Sequence, residues 1–264
     1  METNLFKRFA PIIQSLTSAE LNGSQSLMEK MRLSQDANLT ICYAPLEYIN
    51  TSAKVVIVGI TPGQTQMVNA IKEARRQLDL GADDATVLRA AKQVGAFSGT
   101  MRPNLVALLD RIGVQQWLGI SSCDELFGGG SASHFVQTAS VLRNPVFLDG
   151  NNYNGTPNMA RQPMLRESLM SHFGQDARLF PNAVFIPLGD KVSDALGYLA
   201  DQGRLDRSRI LEGLPHPSGA NAERIAYFLG KKEKGTLSAK TDPSKLDSAR
   251  KVLLESVSAL NRAA

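Results

Sequence analysis

Lys54-Val-Val-Ile-Val-Gly59 is an unbroken run of apolar, mostly β-branched residues, bounded by Ser52 and Pro62. A run that does not alternate with polar positions reads as a strand covered on both faces, as in a parallel sheet. Three further stretches read as strands: Phe135 to Leu142, Ala183 to Pro187, and the short Arg209-Ile-Leu-Glu-Gly213. Elsewhere the apolar positions recur at helical spacing. Leu5, Phe9, Ile12, Ile13 and Leu16 predict a helix over 3–32, and residues 67–80, 84–94, 163–173, 190–202, 221–232 and 245–262 read as helices too. Leu105, Leu108, Leu109 and Ile112 make the stripe of another helix, which Pro103 can open and Gly113 ends. Residues 143–162, rich in Asn, Gly and Pro, read as a long irregular loop, a class that tends to be functional. Gly235 to Ser244 reads as polar linker.

Strands alternating with helices predict a parallel sheet with helices on both faces, joined by right-handed crossovers. The chain beyond the linker is too short for a second core. The expectation is therefore an α/β protein: one three-layer αβα domain over 1–264, built on a four-stranded parallel sheet.

Composition narrows the class. Of 264 residues, 43% are hydrophobic and 20% charged, which is ordinary for a globular protein and excludes disordered and fibrous classes. No apolar run reaches the ~18 residues of a membrane span. The opening METNLFKRFAPIIQSL lacks the apolar block of a secretory leader. Cys42 and Cys123 are too few for a disulfide framework or a four-cysteine metal cluster. These features predict a cytoplasmic protein with structural thiols and no metal. The net charge is 29 − 25 = +4. From Lys231 to Ala264 there are eight basic and four acidic residues, whereas residues 1–230 balance at 21 against 21. A basic end on a neutral body suits a polyanion partner; the same composition also fits a solvated helix and linker.

Ligands of open α/β sheets bind beyond the carboxyl ends of the strands, and three polar segments fall there. The first is Gly59 to Gln66 (GITPGQTQ), a tight turn whose backbone can approach a ligand closely. It lacks the lysine of a phosphate-binding loop and the three glycines of a dinucleotide fingerprint. The second is Leu214 to Ile225, where Pro215 and Pro217 stiffen the backbone around His216 and Ser218 or Asn221 can cap the next helix. A histidine in such a turn is poorly explained as core, whereas His134 and His172 lack any comparable setting. The third is Gly95 to Gly113, where Phe97 offers either a core aromatic or a face on which a planar ring can stack.

Taken in order, these segments resemble the uracil-DNA glycosylase superfamily. The carrying residues are Gly59-Ile-Thr-Pro-Gly63 after a strand, Phe97-Ser-Gly99 before a helix with Leu108-Leu-Asp110, and His216-Pro-Ser-Gly219 late in the chain. Ile186-Pro-Leu-Gly189 looks like the superfamily's penultimate strand and turn, and Arg161-Gln-Pro163 sits where its iron–sulfur branch has an Asn-Arg-x-Pro segment. The likeness spans about residues 54–230.

The resemblance implies a monomeric enzyme that flips a base out of DNA and hydrolyses its bond to deoxyribose, with no cofactor. His216 would donate a hydrogen bond to the leaving base and Phe97 would stack on it. Gly59, Ile60, Pro62, Gly63 and Gln64 would line the sugar side and hold the attacking water with Thr61. Ser218, Gly219, Asn221 and Arg161 would meet the DNA backbone. Thr61 stands where the superfamily usually has Asp or Asn, which implies slow turnover. The superfamily's base-reading Asn has no direct match; Asn144, Asn151, Asn152 or Asn154 would have to substitute. Ala220 and Asn221 replace its bulky wedge, and the cluster cysteines are absent. The alternative expectations are a catalytically weak or inactive DNA- or nucleobase-binding protein on the same fold, and a hydrolase or transferase acting on a small nucleoside.

Overall fold

The computed structural model describes residues 5–97 and 101–263. Thr3 and Asn4 of the expected first helix, and Ser98 and Gly99 of the Phe97 loop, lie outside the described residues. In chain order the elements are α1 (Leu5–Ser15), α2 (Ser18–Asn22), α3 (Ser24–Lys30), β1 (Arg32–Asp36), β2 (Leu39–Cys42), β3 (Val55–Gly59), α4 (Gln64–Asp79), α5 (Asp84–Gly95), α6 (Met101–Arg111), α7 (Val114–Leu118), β4 (Val136–Ser140), β5 (Val146–Leu148), β6 (Asn151–Asn152), α8 (Pro163–Ser168), α9 (Gly174–Asp176), β7 (Val184–Pro187), α10 (Asp190–Asp201), α11 (Ala222–Phe228) and α12 (Pro243–Ala263). Two compact units result. The first takes the chain up to Ile49, Ile60–Ala96 and Ala139–Gln175; the second takes Asn50–Gly59, Phe97–Thr138 and Asp176 onward.

The first unit holds an antiparallel sheet, order β1-β2-β5-β6, that the sequence reading did not anticipate. The stretch read as irregular contains a β-hairpin. Asp149 (φ 50°) and Gly150 (φ 73°) are both left-handed between β5 and β6, the pairing that a two-residue type I′ turn requires and Asp-Gly supplies. The expected helix 3–32 is three short helices, interrupted where Thr17 caps α2 in a reciprocal box with Glu20. Their apolar sides meet α4, α5 and Phe147 in a core containing Phe6, Phe9, Ile13, Leu27, Met31, Met67, Ile71 and Val87. Phe9 stacks on Tyr43 with ring centroids 4.5 Å apart.

The second unit is organised by the parallel sheet, order β4-β3-β7, with Val55 paired to Val184 and Ile57 to Ile186. Val55 through Val58 are completely buried, as the unbroken apolar run requires. The protein is thus mixed α/β, with three parallel strands in place of the expected four. Residues 209–213 add only a single parallel bridge, Ile210 to Phe185, with Leu211 N donating to Phe185 O at 2.8 Å. Gly213 (φ 106°) then turns the chain away, and Pro215 and Pro217 lack the N–H that a ladder needs.

The expected polar linker is tied down. The Glu223 carboxylate accepts from Lys232 Nζ (2.7 Å), Ser238 N (3.1 Å), Ser238 Oγ (2.6 Å) and Thr241 Oγ1 (2.6 Å). Arg224 Nη2 donates to Lys240 O at 3.0 Å. Lys232 first, then the Ser238 and Thr241 donors, hold the Glu223 carboxyl far below the usual carboxylate range. Both cysteines are buried, and burial pushes the Cys42 thiol up to about 12. Among the described residues no helix is long and apolar enough to cross a membrane.

Two outcomes are expected. Ile57→Ala removes a fully buried side chain from the centre of β3 and lowers unfolding free energy by roughly 2–5 kcal/mol in urea titrations; Val252→Ala, at a site 56% exposed, stays within ~0.5 kcal/mol. Because the Glu223 pKa is depressed on folding, its contribution is present above the ordinary Glu value of about 4.3 and is lost as pH falls through the folded value. Glu223→Gln therefore speeds hydrogen exchange at Ser238 and Thr241 at neutral pH, and its difference from wild type shrinks in strong acid.

Candidate functional site

The turn after β3 is bound into the first unit by its own polar groups. Ile60 O accepts from Leu142 N at 2.9 Å. Thr61 Oγ1 donates to Asn144 O (2.9 Å) and accepts from Val146 N (3.0 Å). Gly63 N donates to Gln66 Oε1 (2.8 Å) and Gln64 N to Asn152 Oδ1 (2.8 Å). A Cβ on Gly63 would stand 3.4 Å from Asn152 Nδ2, in ordinary van der Waals contact with that side chain. Pro62 and Asn144 are buried, and Arg161 is exposed.

The hydroxyl expected to orient a water thus has its one proton committed to a carbonyl. What it visibly does is stitch the turn to the start of β5. A carboxylate at position 61 would face the Asn144 carbonyl without a proton to give, so Thr61→Asp, attractive from sequence alone, would set two acceptors against each other. Glu47, in the same unit, was missed by sequence reasoning. Tyr43 Oη donates to its Oε1 at 2.7 Å, its buried Oε2 has no hydrogen-bond partner among the described residues, and burial pushes its pKa up. One glutamate before a tyrosine carries no spacing signal that would have revealed it.

His216 and Phe97 lie in the second unit. Pro215 and Pro217 are buried on either side of the half-buried imidazole. Ser218 N donates to His216 Nδ1 at 3.2 Å, which leaves the neutral ring's proton on Nε2. Burial pushes the His216 pKa down, favouring that neutral form. Gly189, at φ 88° in the turn between β7 and α10, lies against this histidine: a Cβ there would stand 3.4 Å from His216 Cβ. Asn104 Nδ2, from the first turn of α6, donates to Pro217 O at 2.9 Å. Neither Gly189 nor Asn104 was singled out from sequence for this role; Gly189 appeared only as part of a strand-end turn.

The residues expected at the DNA backbone turn largely onto one another. Ser218 Oγ accepts from Asn221 Nδ2 (3.2 Å), and Asn221 Oδ1 accepts from Arg224 Nη1 (3.0 Å). The Ser218 amide is spent on the imidazole, and Gly219 is exposed. Phe97 is 7% exposed and adopts φ 47°, a conformation costly for a bulky L-residue and concentrated at functional positions. A cleft of about 530 Å³ in this unit is lined by Asp110, Arg111, Gln116, Lys231 and Leu254 among others, and by none of the expected site residues. Among the described residues no group of three or more His, Cys, Asp and Glu could hold a metal ion.

Over 230 residues the chain is 37% identical to YoxB of Bacillus subtilis (strain 168), an uncharacterized protein; the match covers 86% of this chain and 89% of that protein. The chain belongs to the YoxB family. A match of that extent is longer than residues 54–230, so the YoxB family shares part of the flanking segments as well. No family model and no solved structure matches the chain.

Thr61→Val keeps the shape but leaves Asn144 O and Val146 N without this partner. It is expected to lower stability by about 1–3 kcal/mol, read by denaturant unfolding, while Thr61→Ser retains most of it. Gly189→Ala forces a left-handed alanine against the imidazole and should cost at least roughly 1–2 kcal/mol.

Proposed function

We propose that the chain is a base-excising hydrolase of the uracil-DNA glycosylase type, acting on uracil or a related damaged base in DNA. The observation that carries this reading is the state of His216: a half-buried imidazole, held neutral by burial, whose Nδ1 is occupied by Ser218 N, leaving the ring's proton on Nε2. The strand order β4-β3-β7, continued by the bridge at Ile210, supports the superfamily's four-stranded topology.

In the proposed reaction the bond from the base nitrogen to the deoxyribose C1′ breaks with its electrons moving onto the base. Water adds to C1′ and gives a proton to solvent, from which the departed base anion takes one to leave as the free base. Negative charge grows on the pyrimidine O2 as the bond breaks, and Nε2–H is the donor aimed at it. A donor preorganised toward developing charge is commonly the largest catalytic contribution. A neutral donor fits this role because the leaving base, not the imidazole, carries the charge. Phe97 supplies the stacking face, its backbone strain being the cost of fixing that ring.

A second reading, a DNA- or nucleobase-binding protein without chemistry, is favoured by the hydroxyl of Thr61, whose proton is given to the main chain. A gel shift at two salt concentrations beside the cleavage assay separates the two. Salt-sensitive binding without base release supports the second reading.

The decisive measurement is release of free uracil from single- and double-stranded uracil-containing DNA; a folded protein that releases none, nor any other deaminated or alkylated base, rejects the enzyme reading. His216→Ala and His216→Leu should lower kcat by about 10²–10³-fold, as for loss of one preorganised donor. Since the folded pKa of His216 lies below its ordinary 6.5, the rate should hold as pH falls through 6.5 and decline only in more acidic solution.

A further inference from the structure

His216 sits on a segment with little main-chain support. Among the described residues, residues 212–217 take part in no backbone–backbone hydrogen bond. The last anchored amide before them is Leu211 N on Phe185 O, and the first after them is Asn221 N on Ser218 O. Pro215 and Pro217 remove two of the donors that might have tied the turn down. The Ser218 amide bonds to the His216 ring itself and therefore moves with it. Among the described residues one side-chain hydrogen bond reaches this stretch from a separate element: Asn104 Nδ2 donates to Pro217 O at 2.9 Å.

Asn104 stands in the first turn of α6, the helix that the chain enters a few residues after Phe97. One amide thus ties the helix following the aromatic residue to the turn bearing the imidazole. We infer that Asn104 is the positioning residue of His216, holding the Pro-His-Pro turn in register with the Phe97 segment so that Nε2–H keeps its aim. This inference rests on the proposed base-excising reading for its catalytic consequence, though not for its structural one.

The physical case is one of precision rather than strength. A neutral side chain–backbone hydrogen bond adds little to global stability, but a displacement of about 1 Å at a catalytic group can cost on the order of a hundredfold in rate. Losing the Asn104 amide should therefore spare the fold and harm the chemistry. The isosteric Asn104→Asp variant keeps the shape and replaces the donor by an acceptor that repels Pro217 O. Asn104→Ser removes the reach altogether, and Asn104→Gln keeps the donor on a longer stem.

The test uses the full-length protein labelled with 15N at histidine, with the His216 ring assigned by comparison with His216→Gln. In wild type the His216 nitrogens should report an unprotonated Nδ1 and a protonated Nε2. In Asn104→Asp and Asn104→Ser they should move toward the averaged values of a free imidazole, while Asn104→Gln stays closer to wild type. If uracil is released, the Asp and Ser variants should lose about ten- to a hundredfold in kcat with KM changed less than about twofold, and Gln should recover part of it. A His216 signal unchanged in folded Asp and Ser variants overturns the inference. So does the unfolding of both variants, which would make Asn104 a general stabiliser. If wild type releases no base, the proposed function falls, and the imidazole signals alone still decide the role of Asn104.

Discussion

Proline has no amide proton, and the two prolines around His216 decide where the parallel ladder of this protein stops. Up to Ile210 the chain is running beside β7, with Leu211 N still donating to Phe185 O. Beyond Gly213 the backbone leaves the sheet, and Pro215 and Pro217 prevent it from returning. The fourth strand is sacrificed to a single bridge. In exchange the imidazole sits on a partly buried turn at a sheet edge, with Gly189 against it and Asn104 donating to the Pro217 carbonyl of the same turn. A regular strand would have alternated its side chains between two covered faces, and the histidine would have become core.

The same logic governs the turn after β3. Its Gly63 and Gln64 amides are satisfied by the side chains of Gln66 and Asn152, and its Thr61 hydroxyl in turn serves Asn144 O and Val146 N at the start of β5. Buried or half-buried loops must find such partners, because unpaired main-chain groups are costly away from water. Thr61 therefore has a structural task that competes with any chemical one. A hydroxyl already donating to a carbonyl is a weak candidate for moving protons, so catalysis in this molecule, if it follows the proposed route, leans on the leaving-group side. The water side would be served by backbone groups.

Much of the scaffold was legible because its signals are local and periodic. The unbroken Val-Val-Ile-Val run gave β3 and its burial, and the spacing of Leu105, Leu108 and Leu109 gave α6. The antiparallel sheet was hidden because its strands are short and its hairpin lies within an Asn- and Gly-rich stretch, though Asp149-Gly150 was a readable turn signal. The first helix broke into three because Thr17 and Glu20 form a cap that apolar periodicity does not register, and because Gly23 ends α2 and opens α3. Of the candidate site, His216 stood out through its flanking prolines. Asn104 did not, since its partner lies over a hundred positions away and a lone asparagine in a helix's first turn has many uses. The committed hydroxyl of Thr61 was equally invisible, because only the fold brings Asn144 and Val146 to it.

The basic tail is less basic to an incoming polyanion than its composition suggests. Lys232 lies against Glu223, Lys245 against Asp190 and Arg250 against Asp247, so among the described residues three of its eight cations have a carboxylate neighbour. A phosphate that reaches one of these three cations must first displace its carboxylate. Five positions then remain to displace condensed ions from a duplex, and at about 0.9 ions per phosphate neutralised the tail alone supports a logarithmic salt slope no steeper than roughly −4.5. Any steeper dependence would have to draw on cations elsewhere in the chain.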